Sequence, residues 1–309
     1  MSYINVCTYS FENHSNFVRR IGRALNSNGG RAAEPPFCSS NMKPMQNEVP
    51  RAIGLARALS KLGYCSRSKA AELIRSGHVQ LNGSCRRDPE FPVDLMRDRI
   101  TAEGRAIEAQ QKIYFIMNKP RGLVTTASDE KGRDTIYSLF GDAKEMPWVA
   151  AIGRLDKASE GLLLLTNDSE WGASIASPEA HLEKTYHVRI STIADERILE
   201  SLTRGVRSRD GDLLRSTRAR MLRAGEKNCW LEIVLDEGKN RHIRRMLQAL
   251  GIEVLRLVRV AIGPLQLAQL AKGSYRPLTP EEKQSLDRAM RKSQATKAKI
   301  HHARPRGRL

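Results

Sequence analysis

Hydrophobic positions near residue 55 recur at the spacing of an α-helix and give way, after residue 77, to an alternating pattern. Ser66 has the residue type and the position of an N-cap for the second of two short helices, and Gly77 ends that helix. The segment His78–Gly83 alternates and ends in Asn-Gly, the strongest short signal for a hairpin turn. The pattern predicts a helix, helix, hairpin module whose inward positions are Leu55, Leu59, Leu62, Ala70, Leu73 and Ile74.

From Gln111 onward the pattern changes to β-branched and leucine-rich strands that alternate with helices. Strands are predicted at Ile113–Asn118, Leu162–Asn167, Thr185–Ile190, Cys229–Leu235 and Leu255–Ile262. Helices are predicted at Glu170–Ala176, Asp195–Thr203 and Asn240–Leu250. Because these elements do not form strict βαβ units, the pattern favours an α+β fold around a mixed or antiparallel sheet.

The two ends of the chain lack this periodicity. Residues 1–50 mix Ser, Asn, Pro and Gly, which predicts a disordered N-terminal extension, although the few acids and several arginines there also fit a transit peptide. Near the other end, the basic residues from Arg288 to Arg308 are opposed only by Asp287, so this tail is expected to contact phosphates non-specifically. We therefore divide the chain into an extension at 1–50, the module at 51–109, a strand-rich domain at 110–279 and a basic tail at 280–309.

The net charge narrows the class of partner. The 309 residues include 52 Lys and Arg against 34 Asp and Glu, a net charge of +18, which favours a polyanionic partner and nucleic acid first. Apolar runs such as Leu162–Leu165 fall far short of the ~18 residues of a membrane helix. The five cysteines lack CxxC spacing, so they indicate neither a zinc site nor a redox pair, and free thiols are expected. Because the first residues contain no apolar run of signal-peptide length, we expect a cytoplasmic protein.

Basic side chains are concentrated on and around the predicted helix pair of the module. They form either an ordinary solvated face or a helix face that contacts RNA phosphates. The turn Gly63–Ser68 and the strand at 77–83, Gly-His-Val-Gln-Leu-Asn-Gly, resemble the signature of the S4 RNA-binding domain. This resemblance implies that RNA is contacted by Lys61, Arg67, Lys69 and Arg75.

The segment Ile152–Asp168 contains the densest motif of the chain. An Arg-Leu-Asp element follows Gly153, and an apolar strand resumes at Gly161, which places Asp156 in a loop at the edge of the sheet. Reactive groups are often carried on such loops. On the residues alone, Asp156 is either a candidate catalytic group or a carboxylate that caps the loop or pairs with a nearby arginine.

The motif Gly-Arg-Leu-Asp followed by Gly-Leu-Leu-Leu-Leu-Thr-Asn-Asp resembles the central motif of pseudouridine synthases. The resemblance is to the branch that modifies ribosomal RNA and places an S4 domain before the catalytic domain. Further family-like segments occur in the expected order: Met117–Gly122, Glu183–Val188, Glu237–Met246 and Gly263-Pro264. The resemblance therefore extends over the module and the strand-rich domain together.

The resemblance assigns roles to individual residues. The catalytic aspartate of the family corresponds to Asp156, and the basic residue that pairs with it corresponds to Arg244. The base-stacking tyrosine corresponds to Tyr186, which on the strand pattern alone is equally an aromatic residue of the core. His242 stands where many relatives carry Gln, and Lys157–Glu160 forms a variable loop; both departures are expected to bear on which RNA is recognised.

The family reaction, conversion of uridine to its C-glycoside isomer, sets the requirements on the site. The N1–C1′ bond breaks, and the freed uracil turns and rejoins the sugar through C5 without net oxidation, so neither a cofactor nor a metal is expected. An ionised aspartate either attacks the sugar covalently or takes a proton from C2′, and the sequence leaves both routes open. An arginine within ~4–6 Å keeps the carboxylate charged, which is the role expected of Arg244.

Basic residues near these motifs are candidates for contact with RNA. Arg154 precedes Asp156 by two positions and so points to the same face of an extended stretch, where it is expected to hold a phosphate or to fill the place of the flipped base. Lys119 and Arg121 flank Pro120 in a predicted turn, and they are either phosphate ligands or solvated charges.

The predicted helix at 240–250 carries three arginines with different orientations. Arg241 lies three residues before Arg244 and shares its face, so it is also a candidate RNA ligand. Arg245 is turned about 100° away, toward RNA or solvent.

Together these observations predict an rRNA pseudouridine synthase in which the S4-like module holds RNA while Asp156 isomerises one uridine. Large-subunit rRNA is favoured over small-subunit rRNA as the substrate, either free or within an assembly intermediate, and the protein is expected to act as a monomer without a membrane partner. The alternative is a non-catalytic rRNA-binding assembly factor that retains the same fold. The two differ in whether Asp156 is dispensable.

Overall fold

The computed structural model describes residues 52–127, 129–141 and 147–302, with side chains as far as Arg291. The predicted extension at 1–50 and the last seven residues of the predicted tail lie outside these ranges. Within the described ranges, no helix is both long and apolar enough to cross a lipid bilayer. Cys65, Cys85 and Cys229 are free thiols.

The N-terminal module, Ile53–Ala106, has the predicted two helices and hairpin. Ser66 caps the second helix, since its hydroxyl accepts a hydrogen bond of 3.1 Å from the backbone N–H of Lys69. Asn82 and Gly83 have φ values of 52° and 80°, as a tight hairpin turn requires. The elements of the module are β1 (Ile53–Gly54), α1 (Leu55–Lys61), α2 (Arg67–Arg75), β2 (Val79–Leu81), β3 (Ser84–Cys85), β4 (Pro92–Val93), β5 (Ile100–Ala102) and β6 (Arg105–Ala106).

A separate hydrophobic core supports the module. Strands β3, β2, β5 and β6 form one small sheet in that order, and β1 pairs with β4. The apolar faces of α1 and α2 pack on the strands, and Leu55, Leu59 and Ile74 are completely buried. Burial of side chains of this size contributes about 1.5–3 kcal/mol each, so the helical spacing of these residues is what holds the module together.

The larger domain, called the sheet domain below, is built around nine strands. Their order is β13-β14-β10-β15-β9-β7-β17, with β8 paired to β9 and β16 paired to β15. The strands are β7 (Tyr114–Lys119), β8 (Ala150–Ile152), β9 (Glu160–Thr166), β10 (Lys184–Ile190), β13 (Arg218–Ala224), β14 (Cys229–Leu235), β15 (Val254–Ile262), β16 (Leu265–Gln266) and β17 (Tyr275–Pro277), while β11 (Val206–Arg207) pairs with β12 (Leu213–Leu214). All five predicted strands are present with shifts of one or two residues at their ends.

The sheet is mixed because β9 and β15 run parallel, whereas the other pairs are antiparallel. This confirms the predicted α+β fold with a mixed sheet. Strand β9 is buried on both faces, since Leu162 and Leu164 enter one hydrophobic cluster and Leu163 and Leu165 enter another. Its unbroken apolar sequence follows from this central position.

Four helices cover the sheet: α3 (Ser169–Ala176), α4 (Glu196–Arg204), α5 (His242–Ala249) and α6 (Pro280–His302). The first three confirm the predicted helices. The segment predicted as a basic tail begins as α6, in which Leu286 is completely buried and Met290 nearly so. Asp287 accepts a hydrogen bond of 2.8 Å from the indole N–H of Trp171, so the first turns of this segment belong to the packed domain.

The module and the sheet domain contact each other through few polar groups. The ammonium group of Lys61 lies 2.5 Å from a carboxylate oxygen of Glu170 in α3. The backbone N–H of Gln110 donates to the carbonyl oxygen of Leu62 over 3.1 Å. A contact between Lys61 and RNA would therefore compete with its ion pair to Glu170, and this contact stays a prediction.

One glycine is required by the close approach of the two parallel strands. Gly161 has a φ of 104°, and a Cβ atom there would lie 2.2 Å from the carbonyl oxygen of Arg259. Neither backbone can move aside without breaking the pairing between β9 and β15, so Gly161→Ala should lower the free energy of unfolding by about 4 kcal/mol or more. Urea denaturation of the purified variant measures this loss.

Gly211→Ala is the matched control. Gly211 also has a positive φ, of 85°, but an added Cβ there would meet nothing within 4 Å. Its substitution should cost only about 1–2 kcal/mol, the penalty of the left-handed backbone alone. Equal losses at the two positions would contradict the close-approach argument.

Candidate active site

A cleft of about 340 Å³ opens between the loop that precedes β9, the adjoining strands β10 and β15, and the segment that leads into α5. Its wall includes both charged and apolar side chains. The side chains in this wall that carry ionisable or hydroxyl groups include Arg154, Asp156, Lys184, Tyr186, His242 and Arg259. The folded chain therefore brings together segments that are widely separated in the sequence.

Asp156 lies in the loop between β8 and β9, and its side chain is 36% exposed. The backbone before it is held by Thr125, whose hydroxyl donates to the carbonyl oxygen of Leu155 over 2.8 Å. The backbone after it turns back, since the N–H of Ser159 donates to the carbonyl oxygen of Asp156 over 2.9 Å. The loop thus presents the Asp156 carboxylate at the cleft from a fixed backbone.

A buried lysine holds the same loop in place by hydrogen bonds to the backbone. Lys119, at the end of β7, is completely buried. Its ammonium group donates to the carbonyl oxygens of Pro120, Asp156 and Ser159 over 3.0, 3.2 and 2.9 Å. All three N–H bonds are used, so the prediction that Lys119 binds phosphate is wrong. Burial lowers the pKa of Lys119 to about 8, and the nearby acids Asp156 and Glu160 oppose this shift.

Glu160 closes the loop on its other side. Its carboxylate accepts two hydrogen bonds of 3.0 Å from Arg256 and lies 2.7 Å from the ammonium group of Lys272. Burial acts to raise the pKa of Glu160, but these hydrogen bonds outweigh burial and lower it. The expectation of a variable loop over 157–160 is therefore wrong at its last residue, which is the buried first residue of β9.

The cation nearest to Asp156 differs from the predicted one. Within the described ranges, the ion pair of Asp156 is with Arg241, whose Nη1 atom lies 4.0 Å from Oδ2. Arg244 instead donates to the carbonyl oxygen of Ala158 over 3.0 Å. Asp156 still acts on Arg244 through its charge, whereas burial and the neighbouring Arg241 lower the pKa of Arg244. Arg244 therefore supports the loop backbone and lies near enough to Asp156 to interact with its charge, while the ion pair within 4.0 Å is made by Arg241. The pairing of Arg244 with Asp156 stays a prediction.

Tyr186 lies on β10, where it is partly buried. Its ring packs against two hydrophobic clusters and also lines the cleft. The two sequence-based interpretations, core residue and base-stacking residue, are therefore compatible. Its partner in the antiparallel pairing with β15 is Arg259.

His242, the first residue of α5, is buried at the cleft. Neither ring nitrogen has a hydrogen-bond partner among the described residues, and the nearest acid, Glu237, lies 3.7 Å from Nδ1. Burial lowers the pKa of His242 below its ordinary value, and the carboxylate of Glu237 opposes the shift. The side chain is therefore neutral near pH 7.

The remaining predicted RNA ligands fall into two groups. Two of them form ion pairs within the protein. The Nη2 atom of Arg245 lies 2.9 Å from Asp210 and 2.6 Å from Asp212, and Lys69 pairs with Glu72 at 3.0 Å on the surface, so their contact with RNA stays a prediction. By contrast, four exposed arginines have no hydrogen-bond or ion-pair partner in the described part of the chain: Arg67, Arg75, Arg121 and Arg154.

Sequence reasoning missed two cleft residues, Lys184 and Arg259. Lys184 belongs to the quoted segment Glu183–Val188, and Arg259 is one of two arginines, with Arg256, in a strand that is otherwise apolar. A charged residue inside a buried strand was the available signal, because such a group is rarely buried without a partner or a role. Within the described ranges, no group of His, Cys, Asp and Glu side chains has the arrangement of a metal site.

The lysine beneath the loop yields a first test. Lys119→Met retains the bulk of the side chain but leaves three carbonyl oxygens without their donor, so the free energy of unfolding should fall by about 2–4 kcal/mol. Urea denaturation measures the loss. Lys112→Met is the control. The ammonium group of Lys112 is exposed, and its partner Asp168 at 2.9 Å keeps its hydrogen bonds from Tyr114 and from the backbone of Trp171, so the loss should be under about 1 kcal/mol. A loss at Lys119 as small as that at Lys112 would contradict the assigned role.

The buried histidine yields a test by pH. Because the folded protein lowers the pKa of His242 below 6.5, the unfolded chain binds that proton first as the pH falls. The unfolding free energy should therefore be largest above pH 6.5 and decline below it. His242→Gln should flatten this decline between about pH 7.5 and 5.5.

Part of the decline should persist in that variant, because burial also lowers the pKa of His187. The double variant with His187→Gln should remove that part as well. Denaturant titrations at several pH values measure both slopes. An identical slope in the wild type and in His242→Gln would contradict the assignment.

Two protein-family models match the chain. The model described as RNA pseudouridylate synthase matches residues 113–249, which include the Asp156 loop, Tyr186 and α5. The S4 domain model matches residues 53–100, which form most of the N-terminal module.

Relatives match over nearly their whole length. The ribosomal large subunit pseudouridine synthase B of Bacillus subtilis (strain 168) is 35% identical over 231 residues, 74% of this chain and 93% of that protein. An uncharacterized RNA pseudouridine synthase of Aquifex aeolicus (strain VF5) is 36% identical over 239 residues, 77% of this chain and 95% of that protein. A crystal structure of a pseudouridylate synthase is 30% identical, with a TM-score of 0.54, and covers 76% of this chain and 99% of that chain. The chain therefore belongs to the pseudouridine synthase family and carries an S4 domain ahead of its catalytic domain.

Proposed function

We propose that this pseudouridine synthase isomerises one uridine of large-subunit ribosomal RNA and that Asp156 is its catalytic carboxylate. The single observation that carries the proposal is the position of Asp156. Its carboxylate faces a cleft that also contains Tyr186, while its backbone is fixed by Lys119 and Thr125. A carboxylate that must meet one sugar atom needs such a fixed backbone, since small displacements of a reacting group cost large factors in rate.

The cleft accommodates the target nucleotide only after that nucleotide has left the RNA stack. Tyr186 offers a ring on which the extruded uracil stacks. Asp156 then attacks C1′ or removes the proton from C2′ as the N1–C1′ bond breaks. Both routes use a charged carboxylate, and the guanidinium group of Arg241 lies 4.0 Å from it.

Electrostatic attraction is expected to hold the RNA outside the cleft. Arg154 and Arg121 are exposed near the Asp156 loop. They bind phosphate oxygens or occupy the space that the flipped base leaves. On the S4 domain, Arg67 and Arg75 offer further free charges to the RNA backbone. The net charge of +18 supports a polyanionic partner. The choice of the large subunit rests on the sequence-based expectation and agrees with the name of the Bacillus relative.

We expect the protein to work in the cytoplasm as a monomer, on free rRNA or on a ribosomal assembly intermediate. Each copy of the chain carries its own Asp156, Tyr186 and Arg241 at one cleft, so catalysis requires no residue from a second copy.

The test is to replace the carboxylate without changing its shape. Asp156→Asn should reduce pseudouridine formation by at least about 10³-fold, the effect of removing a group on which the chemical step depends. Its affinity for RNA should stay within about a factor of three, because Asp156 does not contact phosphate. The assay incubates purified protein with transcribed large- and small-subunit rRNA and maps carbodiimide-labelled pseudouridine by reverse-transcription stops.

Asp134→Asn is the matched control, since Asp134 is an exposed loop carboxylate outside the cleft, and it should behave as wild type. One new stop in large-subunit rRNA that Asp156→Asn abolishes is the expected result. A stop in small-subunit rRNA would overturn the choice of substrate, and turnover by Asp156→Asn would overturn the catalytic assignment. Tight rRNA binding without any stop, on free or partly assembled subunits, would favour a non-catalytic assembly factor.

A further inference from the structure

Three side chains form the sheet side of the cleft. Tyr186 and Lys184 are two positions apart on β10, so they lie on the same face of the sheet. Arg259 is the residue directly opposite Tyr186 on β15, and directly opposed residues project to the same side at Cβ separations of about 4.5–5.5 Å. All three line the cleft. The structure thus places two cations beside the ring on which the uracil is proposed to stack.

Arg259 has donors that the protein does not use. Only 6% of the residue is exposed, and its Nε–H donates to the carbonyl oxygen of Leu162 over 2.7 Å. Its Nη2 atom is buried without a hydrogen-bond partner among the described residues. Because guanidinium groups are seldom left partly unsatisfied in an interior, these donors point to an acceptor that arrives with the substrate.

The positive charges of Lys184 and Arg259 are not fully balanced by nearby acidic side chains. Burial and the neighbouring guanidinium of Arg259 lower the pKa of Lys184, and Asp236 is the nearby acid that opposes the shift. The two positive charges therefore repel each other across a short distance in a partly buried site. An anion bound between them would relieve that repulsion.

The reaction produces such an anion. When the N1–C1′ bond breaks, its electron pair stays on uracil, and the charge spreads from N1 onto the carbonyl oxygens. The ring then turns, C5 bonds to C1′, C5 loses one proton and N1 gains one, so that the product is an isomer of the substrate. The detached uracil anion forms whether Asp156 attacks C1′ or removes the C2′ proton.

We propose that Arg259, assisted by Lys184, hydrogen-bonds the uracil carbonyl oxygens and stabilises the negative charge that uracil carries while it is detached from the sugar. The inference rests on the proposed function and adds catalytic residues to it. Preorganised donors that face a developing charge in a water-poor site act chiefly on the transition state. The same interaction retains the free base in the cleft while it turns.

The test separates this role from a structural one by changing the leaving group. The mapped target nucleotide is prepared as uridine or as 5-fluorouridine within the same RNA, and fluorine stabilises the detached anion by withdrawing electrons. Because C5 of 5-fluorouracil has no proton to lose after it bonds to C1′, the rates compared are those of nucleoside consumption and not of pseudouridine formation. Single-turnover rates follow the consumption of the nucleoside in nuclease digests by liquid chromatography and mass spectrometry. The proteins compared are wild type, Arg259→Gln, Arg259→Lys and Lys184→Gln.

Arg259→Gln should slow the reaction of uridine by about 10²-fold, and Arg259→Lys and Lys184→Gln by about tenfold each, with RNA affinity unchanged. On 5-fluorouridine each loss should be at least about fivefold smaller, because the better leaving group depends less on the cations. Arg189→Gln is the control. Arg189 is exposed on β10 away from the cleft, where it donates to Asn228 over 3.0 Å, and its variant should match wild type on both bases.

Equal losses on the two bases, or no loss at all, would overturn the proposal while leaving the proposed function intact. If Arg259→Gln does not fold, Arg259→Lys and Lys184→Gln decide by the same ratio, because the half-buried side chain of Lys184 forms no hydrogen bond or ion pair with β9 in the described part of the chain. Absence of wild-type turnover on every rRNA would instead contradict the proposed function, and this inference with it.

Discussion

The geometry of the active site depends on the ammonium group of Lys119. It is the only buried group described here that contacts the backbone on both sides of the loop turn, at Asp156 and at Ser159. A neutral side chain of the same length would not satisfy three carbonyl oxygens at once, since none offers the three N–H donors that an ammonium group directs from a single atom. The proposed catalytic carboxylate is therefore positioned by a buried charge whose hydrogen bonds all go to the backbone.

The ends of the loop are held by a second set of interactions that depend on the sheet. Glu160 forms ion pairs with Arg256 and Lys272, which come from parts of the chain about a hundred residues further along. Gly161 allows β9 to approach β15 closely enough for the two strands to pair. Asp156 lies shortly before the point where β9 and β15 pair, and Arg259 lies opposite Gly161 at that point. The positions of both residues therefore depend on this one contact between the strands.

Much of the fold follows from local sequence. The spacing of leucines in the module, the Ser66 cap and the Asn-Gly turn predict their elements closely, because these signals act within a few residues. The strands of the sheet domain are equally visible, and Asp156 and Tyr186 are identified by their motifs and lie at one cleft.

The roles of the charged residues are the part that the sequence predicts least well. Lys119, Lys61 and Arg245 are basic residues near polar motifs, and nothing local distinguishes a lysine bound by carbonyl oxygens from one that is free for phosphate. Arg241, which forms the ion pair with Asp156, has a left-handed backbone with a φ of 47° just before α5 begins, so helical spacing does not give the direction of its side chain. Such details depend on tertiary contacts and on backbone angles that residue spacing does not encode.

The parallel pairing of β9 with β15 also determines when the active site forms during folding. The two strands pair at Glu160 with Val258 and at Gly161 with Arg259, so a long stretch of chain must be closed before the contact exists. Contacts of this kind form slowly, because the entropy of the closed segment is lost before the pairing is gained. During synthesis, Lys119, Asp156 and Tyr186 all leave the ribosome before β15 does. The growing chain therefore contains every motif of the loop well before it has a cleft, and the enzyme acquires its active site only when the last long strand is in place.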